Sequence, residues 1–223
     1  MPRRNPRDLL EPLRELLDEL PAKSNTGYLF DSGYLAGQIQ GRKIRFELWN
    51  PTEDSLSEFR LGIDCDAPAS FEIQRLTQLK FLQHILPKEL VEELAKKAES
   101  LQQAVGRRFD LKTGDTSLDR KFSFTCSHDD ASRIDVERLA FTLRQPPVRQ
   151  AIEILFETYG FSRIAVNQPT NSTGEVLRFI EAVYSPYERH HVDATRIRAV
   201  LPQLLKLVDA FRAGWEQFSS NSH

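Results

Sequence analysis

Carboxylates gather beside one candidate core element of this chain. Asp110, Asp115 and Asp119 surround the turn Thr113-Gly114-Asp115, and Asp129 and Asp130 follow the alternating segment Phe122, Phe124, Cys126. Oxygens of this kind suit hard cations, and His128 beside Asp129 has the chemistry of a general base. A metal-assisted hydrolase built on Asp115, Asp119 and His128 is one activity this pattern could support. However, the strand expected over Arg120 to Cys126 sets the two acidic groups more than ~20 Å apart at about 3.3 Å per residue, so they share no ion without a fold-back. Asp and Gly are also the ordinary residues of turns, for backbone reasons alone. The structural role is therefore preferred.

His190-His191-Val192-Asp193 is the second constellation. Two histidines and a carboxylate are transition-metal ligands, but adjacent residues of regular structure point apart, and Asp193 stands where a helix needs an N-cap. His128 has no identifiable Ser or Cys nucleophile as its partner. The chain contains no G-x-G-x-x-G, G-x-x-x-x-G-K, G-x-S-x-G, H-E-x-x-H or C-x-x-C motif, so no cofactor is expected. Arg42, Lys43 and Arg45 could meet phosphate, though few aromatic residues interleave with them.

The totals narrow the class. With 40% hydrophobic and 28% charged residues over 223, the chain suits neither a disordered nor a membrane-embedded protein, and it is long enough to bury a substantial core. Lys plus Arg number 30 against 32 Asp plus Glu, for a net charge of −2, so no long-range field draws nucleic acid. No window approaches the ~20 apolar residues of a membrane span, and the basic start leads into an amphipathic stretch unlike a secretory signal. A cytoplasmic location is expected. Arg3, Arg4 and Arg7 ahead of that stretch give a weaker alternative, a peripheral membrane protein. Cys65 and Cys126 fall at the inward phase of alternating segments and read as reduced, buried thiols, with a single disulfide as the alternative.

Periodicity then places the elements. Leu9, Leu13, Leu16, Leu17 and Leu20 share one helical face, Pro12 suits the first turn, Pro21 stops the helix, and Pro21 to Ser32 reads as a connection. Tyr34 to Gln40 and Arg42 to Trp49 flank Gly41 as a hairpin. Phe59 to Cys65 and Phe71 to Ile73 are further strands. A helix is expected from Pro87 to Gly106, with Thr77 to Gln83 ambiguous. Phe109 and Leu111 form a strand arm, and the acidic turn feeds a strand from Arg120. Ser132 with Asp135 resembles a weak capping box for the next helix, which Pro146-Pro147 must divide, Pro147 taking the first position of the second half and Gly160 ending it. Phe161 to Val166 is a strand, and Gly174 to Tyr184 is read as one because turn residues bound it. The last helix carries Ile197, Leu201, Leu204, Val208, Phe211, Trp215 and Phe218 at 4-3 spacing. Asp193 caps it, Val192 is placed to staple on Ile197, and Pro202 implies a kink or a late start. Such a stripe lies across the sheet, or, as the alternative, forms a homodimer seam.

Thr113-Gly114-Asp115-x-x-Leu118-Asp119-Arg120-x-Phe122-Ser123-Phe124, with Leu143-x-x-Pro146-Pro147-Val148-Arg149-x-Ala151-Ile152-x-x-Leu155, resembles a group of uncharacterised bacterial proteins. These have a Gly-Asp turn, an aromatic residue then Asp, a strand, and a helix followed by a long C-terminal helix. The resemblance spans residues 34 to 212 in order of elements. It implies that order and carries over no functional residue. Leu118 stands where the group has an aromatic.

The expectation is an α+β protein with a predominantly antiparallel sheet of about eight strands, four or five helices and a long C-terminal helix packed on the sheet. Residues 1–32 read as an N-terminal amphipathic helix and linker, 33–218 as a single domain that a faint internal echo divides into halves 33–105 and 106–218, and 219–223 as a disordered tail. For function, a non-catalytic protein-interaction module is favoured, partnered by itself or another protein, using a sheet face or the helix bearing Trp215, Phe211 and Phe218.

Overall fold

A computed structural model describes residues 9–17, 19–27, 32–49, 58–65, 70–76, 108–127, 133–167 and 178–221. The helix expected from Pro87, the loop at 50–57, His128, Asp129, Asp130 and the Ser132 capping box lie outside the described residues. The protein is α+β. Among the described residues, nine strands form one sheet: β1 (Glu19–Gly27), β2 (Ser32–Ile39), β3 (Arg42–Trp49), β4 (Glu58–Asp64), β5 (Phe71–Arg75), β6 (Arg108–Leu111), β7 (Phe122–Ser127), β8 (Arg163–Asn167) and β9 (Phe179–Tyr184). Their order is β1-β2-β3-β4-β9-β8-β5-β7-β6, and every neighbouring pair is antiparallel. Among the described residues, four α-helices accompany them: α1 (Thr116–Lys121), α2 (Arg133–Arg144), α3 (Pro146–Glu157) and α4 (Ala194–Asn221).

The β2–β3 hairpin turns at Gln40 and Gly41, both with positive φ (52° and 75°), the backbone that matches the twist of a two-residue hairpin. Gly174 to Tyr184, ambiguous by periodicity, contributes β9, whose residues are buried throughout. β9 pairs with β4 and β8, and so joins the two parts of the chain. The expected halves interlock further, because β5 sits between β8 and β7.

Three expectations are corrected by the structure. The first amphipathic stretch is not a helix to Leu20. It is a short 3-10 turn, Glu11–Leu16, and the backbone is already extended at Leu17. Isolated helices of this length are marginal, whereas residues 19–27 pair with β2 as β1, with a register shift between Glu19 and Lys23, so the expected linker from Pro21 is a strand as far as Gly27. The apolar face is used in part, since Leu13 is buried and Leu9, Leu16 and Leu17 are half-buried. Between the acidic turn and β7 stands α1, because Asp115 caps it and Arg120 and Lys121 sit favourably in its last turn. Finally, α4 starts at Ala194 and continues through Pro202, so there is no late start, and it extends to Asn221 into the expected tail. Pro202 is exposed, where the lost donor and ring crowding are best tolerated.

The proline pair does divide a helix. α2 ends at Arg144 and α3 opens with Pro146 and Pro147, its N-cap being Gln145; Pro146 rather than Pro147 takes the first position. Gly160, at φ 74°, follows α3. One sheet face carries the core against the helices. Phe71 stacks on Phe211 of α4 at 5.3 Å between ring centroids, and Phe122 meets Phe156 of α3 at 4.9 Å. From Ile197 to Phe211 the α4 stripe is buried, while Trp215 and Phe218 are half-buried.

The opposite sheet face bears an ion-pair lattice. Cross-strand register aligns Arg45, Gly62, Glu181, Ala165 and Glu72 in one row, and Glu47, Arg60, Val183, Arg163 and Gln74 in the next. Arg45 bonds Glu181 at 2.5 Å, and Arg163 and Arg60 both reach Glu58, at 3.0 and 2.7 Å. Gly62 leaves room for this, because a Cβ there would lie 3.3 Å from Glu181 Cγ.

Candidate functional site

The acidic turn is built by its own carboxylates. Asp115 Oδ1 accepts from the Ser117 N–H (2.9 Å), the Ser117 hydroxyl (2.7 Å) and the Leu118 N–H (3.2 Å), and Oδ2 accepts from Arg149 Nη1 (2.9 Å). These donors, the Ser117 hydroxyl first, hold its carboxyl far below the usual range. Asp119 accepts from the Thr113 N–H (3.0 Å) and hydroxyl (2.8 Å) and from the Gly114 N–H (3.2 Å). Both side chains thus shape the loop that leads into α1. Among the described residues, no group of three or more His, Cys, Asp or Glu side chains is arranged to hold a metal ion.

The histidine pair lies on a 3-10 turn, Arg189–Val192, just before α4. Asp193 caps α4, accepting from the Arg196 N–H at 3.1 Å, and Val192 and Ile197 are both buried at the helix entry. His191 Nδ1 accepts the Glu188 N–H at 2.8 Å, and its ring stacks on Tyr184. His190 Nδ1 lies 3.2 Å from Glu188. Burial, then the neighbouring His190 and Arg196, pull the His191 pKa down to about 4. Arg196 ties this corner to the turn after α3 and to β9, donating to the Tyr159 carbonyl (2.5 Å) and the Tyr184 hydroxyl (3.3 Å). Of the three proposed ligands here, two are therefore occupied by helix-end and turn geometry.

Trp215, Phe211 and Phe218 have different surroundings. Phe218 packs on Phe141 of α2 at 5.4 Å. Phe211 and Trp215 line a cleft of about 450 Å³ between α4, the β2–β3 turn and the end of β4, together with Arg42, Cys65, Arg212 and Glu216. Trp215 stands beside Phe211 with ring planes 13° apart, and Arg138 of α2 lies over the indole at 4.2 Å while its Nε donates to the Trp215 carbonyl. Gly214 makes that approach possible: a Cβ there would lie 3.2 Å from both Thr142 Cγ2 and Gln145 Cγ. The indole is thus held rigidly at a cleft wall.

The chain matches no family model, no curated protein and no solved structure.

Cys126 is buried, as expected, but Cys65 is only half-buried, because it lies just beyond β4, where the alternation ends, and it edges the cleft; both are free thiols. A second, more open cleft of about 430 Å³ lies along α4, with Leu16, Ile39, Leu201 and Leu205 in its lining. Arg42 and Arg212 line the Trp215 cleft with Asp64 and Glu216, and sequence reasoning singled out only Arg42 among them; Arg138 lies over the indole from α2. Arg138 is 77 positions from Trp215, so no local pattern could join the two. Among the described residues, no helix is long and apolar enough to cross a membrane.

Proposed function

We propose that the protein is a non-catalytic binding module that receives a segment of another protein in the Trp215 cleft. The rigid presentation of Trp215 carries this proposal. Phe211 flanks the indole, Arg138 covers it, and Arg42 and Arg212 rim the space it faces. Aromatic anchors and arginines beside a pre-formed concavity are the residues that dominate binding energy at protein interfaces. An indole already fixed by its neighbours loses little conformational freedom on binding.

Selection of a random dodecapeptide phage library on the immobilised protein tests this directly. Enriched peptides should bind the wild type and lose roughly tenfold or more in affinity for Trp215→Ala, as truncation of a central anchor does. Peptides that bind both proteins equally would place binding elsewhere and overturn the proposal.

A further inference from the structure

Three rings form a column from the core to the surface. Phe161 stacks on Tyr184 with centroids 4.1 Å apart, and Tyr184 stacks on His191 at 3.9 Å. Phe161 and Tyr184 are each 1% exposed, whereas His191, the outermost ring, is half-buried. The 3-10 turn that carries His191 is held at few points. From Pro186 to Asp193, Val192 alone is buried. The other ties are polar and reciprocal: His191 Nδ1 accepts the Glu188 N–H at 2.8 Å, and the Glu188 carboxylate accepts the His191 N–H. Segments with so little buried contact open locally at a free energy well below that of global unfolding.

We infer that the turn 189–192 is a proton-operated latch on this column: a proton on His191 Nδ1 removes the acceptor that closes the turn, and the turn swings away to uncover the Tyr184 ring. The groups that face the imidazole set the direction. Arg196 of α4 already holds a cation against the Tyr184 ring at 5.6 Å, and the His190 ring lies 4.1 Å away, so both oppose a second positive charge there. The Glu188 carboxylate favours that charge but is shared with His190 Nδ1 at 3.2 Å. Tyr184 supplies no charge, because its hydroxyl stays protonated and donates to the Tyr159 carbonyl at 2.9 Å. In the closed turn, burial and these neighbours hold the imidazole at about 4, against 6.5 for a solvated ring. Opening therefore takes up one proton between these values, and the open form gains about tenfold per pH unit as pH falls from 6.5 towards 4.

Residue-resolved amide hydrogen exchange, corrected for intrinsic rates and followed from pH 7 to pH 4.5, tests the latch. Protection of the Glu188 and His191 amides should fall by about tenfold per pH unit below pH 6.5, while amides of β9 and of the middle of α4 keep theirs. His191→Gln supplies a neutral acceptor that does not titrate, and should make protection of the Glu188 amide independent of pH. His190→Ala removes one opposing charge and should make the fall shallower. Protection lost equally from the turn, β9 and α4 would mean global unfolding without a latch. A fall that persists in His191→Gln would assign the proton to another group. Either result overturns the inference.

Discussion

The imidazole of His191 lies flat against the phenol of Tyr184, with ring centroids 3.9 Å apart and planes 1° from parallel. Behind it, Tyr184 is buried, stacks on Phe161 at 4.1 Å and donates its hydroxyl hydrogen to the Tyr159 carbonyl at 2.9 Å. His191 is therefore bound as a neutral ring. Its Nδ1 must keep a lone pair for the Glu188 N–H, and Arg196 stands close by.

This relationship predicts an acid-sensitive corner. The folded-state pKa is about 4 against an ordinary 6.5, so above pH 6.5 both folded and unfolded states hold the ring neutral and no penalty exists. As pH falls from 6.5 towards 4, the unfolded chain takes up a proton that the folded protein refuses, and stability is lost across that window. His191→Phe keeps the stacking but cannot titrate. Its melting temperature should be lower than wild type at pH 7, through the lost acceptor, yet fall less between pH 7 and pH 4.5. Parallel curves for the two proteins would contradict the assignment.

Glu181 has its side chain 1% exposed and Arg45 at 2.5 Å. Removing Arg45 takes this cation from a buried carboxylate, so Arg45→Ala should cost up to about 3–5 kcal/mol in urea unfolding. Replacing both, as Arg45→Met with Glu181→Leu, removes the desolvated charges together and should recover most of that loss. If the double variant is as unstable as the single one, the pair does more than satisfy its own charges.

The loop before α1 rests on Asp119. Thr113 is 1% exposed, and Asp119→Ala leaves its N–H and hydroxyl without their acceptor, an expected loss of about 1–3 kcal/mol. Gly114→Ala attacks the same loop differently, since Gly114 has φ 81° and a Cβ would lie 3.2 Å from Arg144 Nη1; the conformation alone should cost about 1–2 kcal/mol. Chemical denaturation measures both.

Divalent cations give a further test. Asp115 and Asp119 already have all their contacts from the protein's own donors, so millimolar Mg²⁺, Mn²⁺ or Zn²⁺ should leave the melting temperature unchanged. A rise of several degrees that disappears in Asp115→Asn would instead support metal-assisted hydrolysis at this turn.

Gly214 sets the position of Trp215. Gly214→Val places branched carbons where α2 passes closest, and should separate the helices and release the indole from Arg138. A red-shifted tryptophan emission in a Trp49→Phe background, where Trp215 is the remaining indole, reads this out. Unchanged emission would mean that the helix contact does not fix the ring.

What was legible in the sequence was local. Alternation in Arg42 to Trp49, the proline pair at 146–147, the Asp193 cap and the Ile197 to Phe211 stripe each declared their element, because period, donor loss and capping act within a few residues. The 3.6 and 2.0 periodicities also divided core from surface, and with it the α+β class with a long helix on an antiparallel sheet. Tertiary structure decided the rest. Residues 21–27 read as a linker until β2 offers them an edge, and β5 joins the chain's two parts only by inserting between β8 and β7. The Trp215 cleft draws Arg42, Cys65 and Phe211 from β3, the end of β4 and α4. Contacts of that separation depend on how faces pack, and packing depends on shape and volume summed over the whole core, which no window of sequence contains.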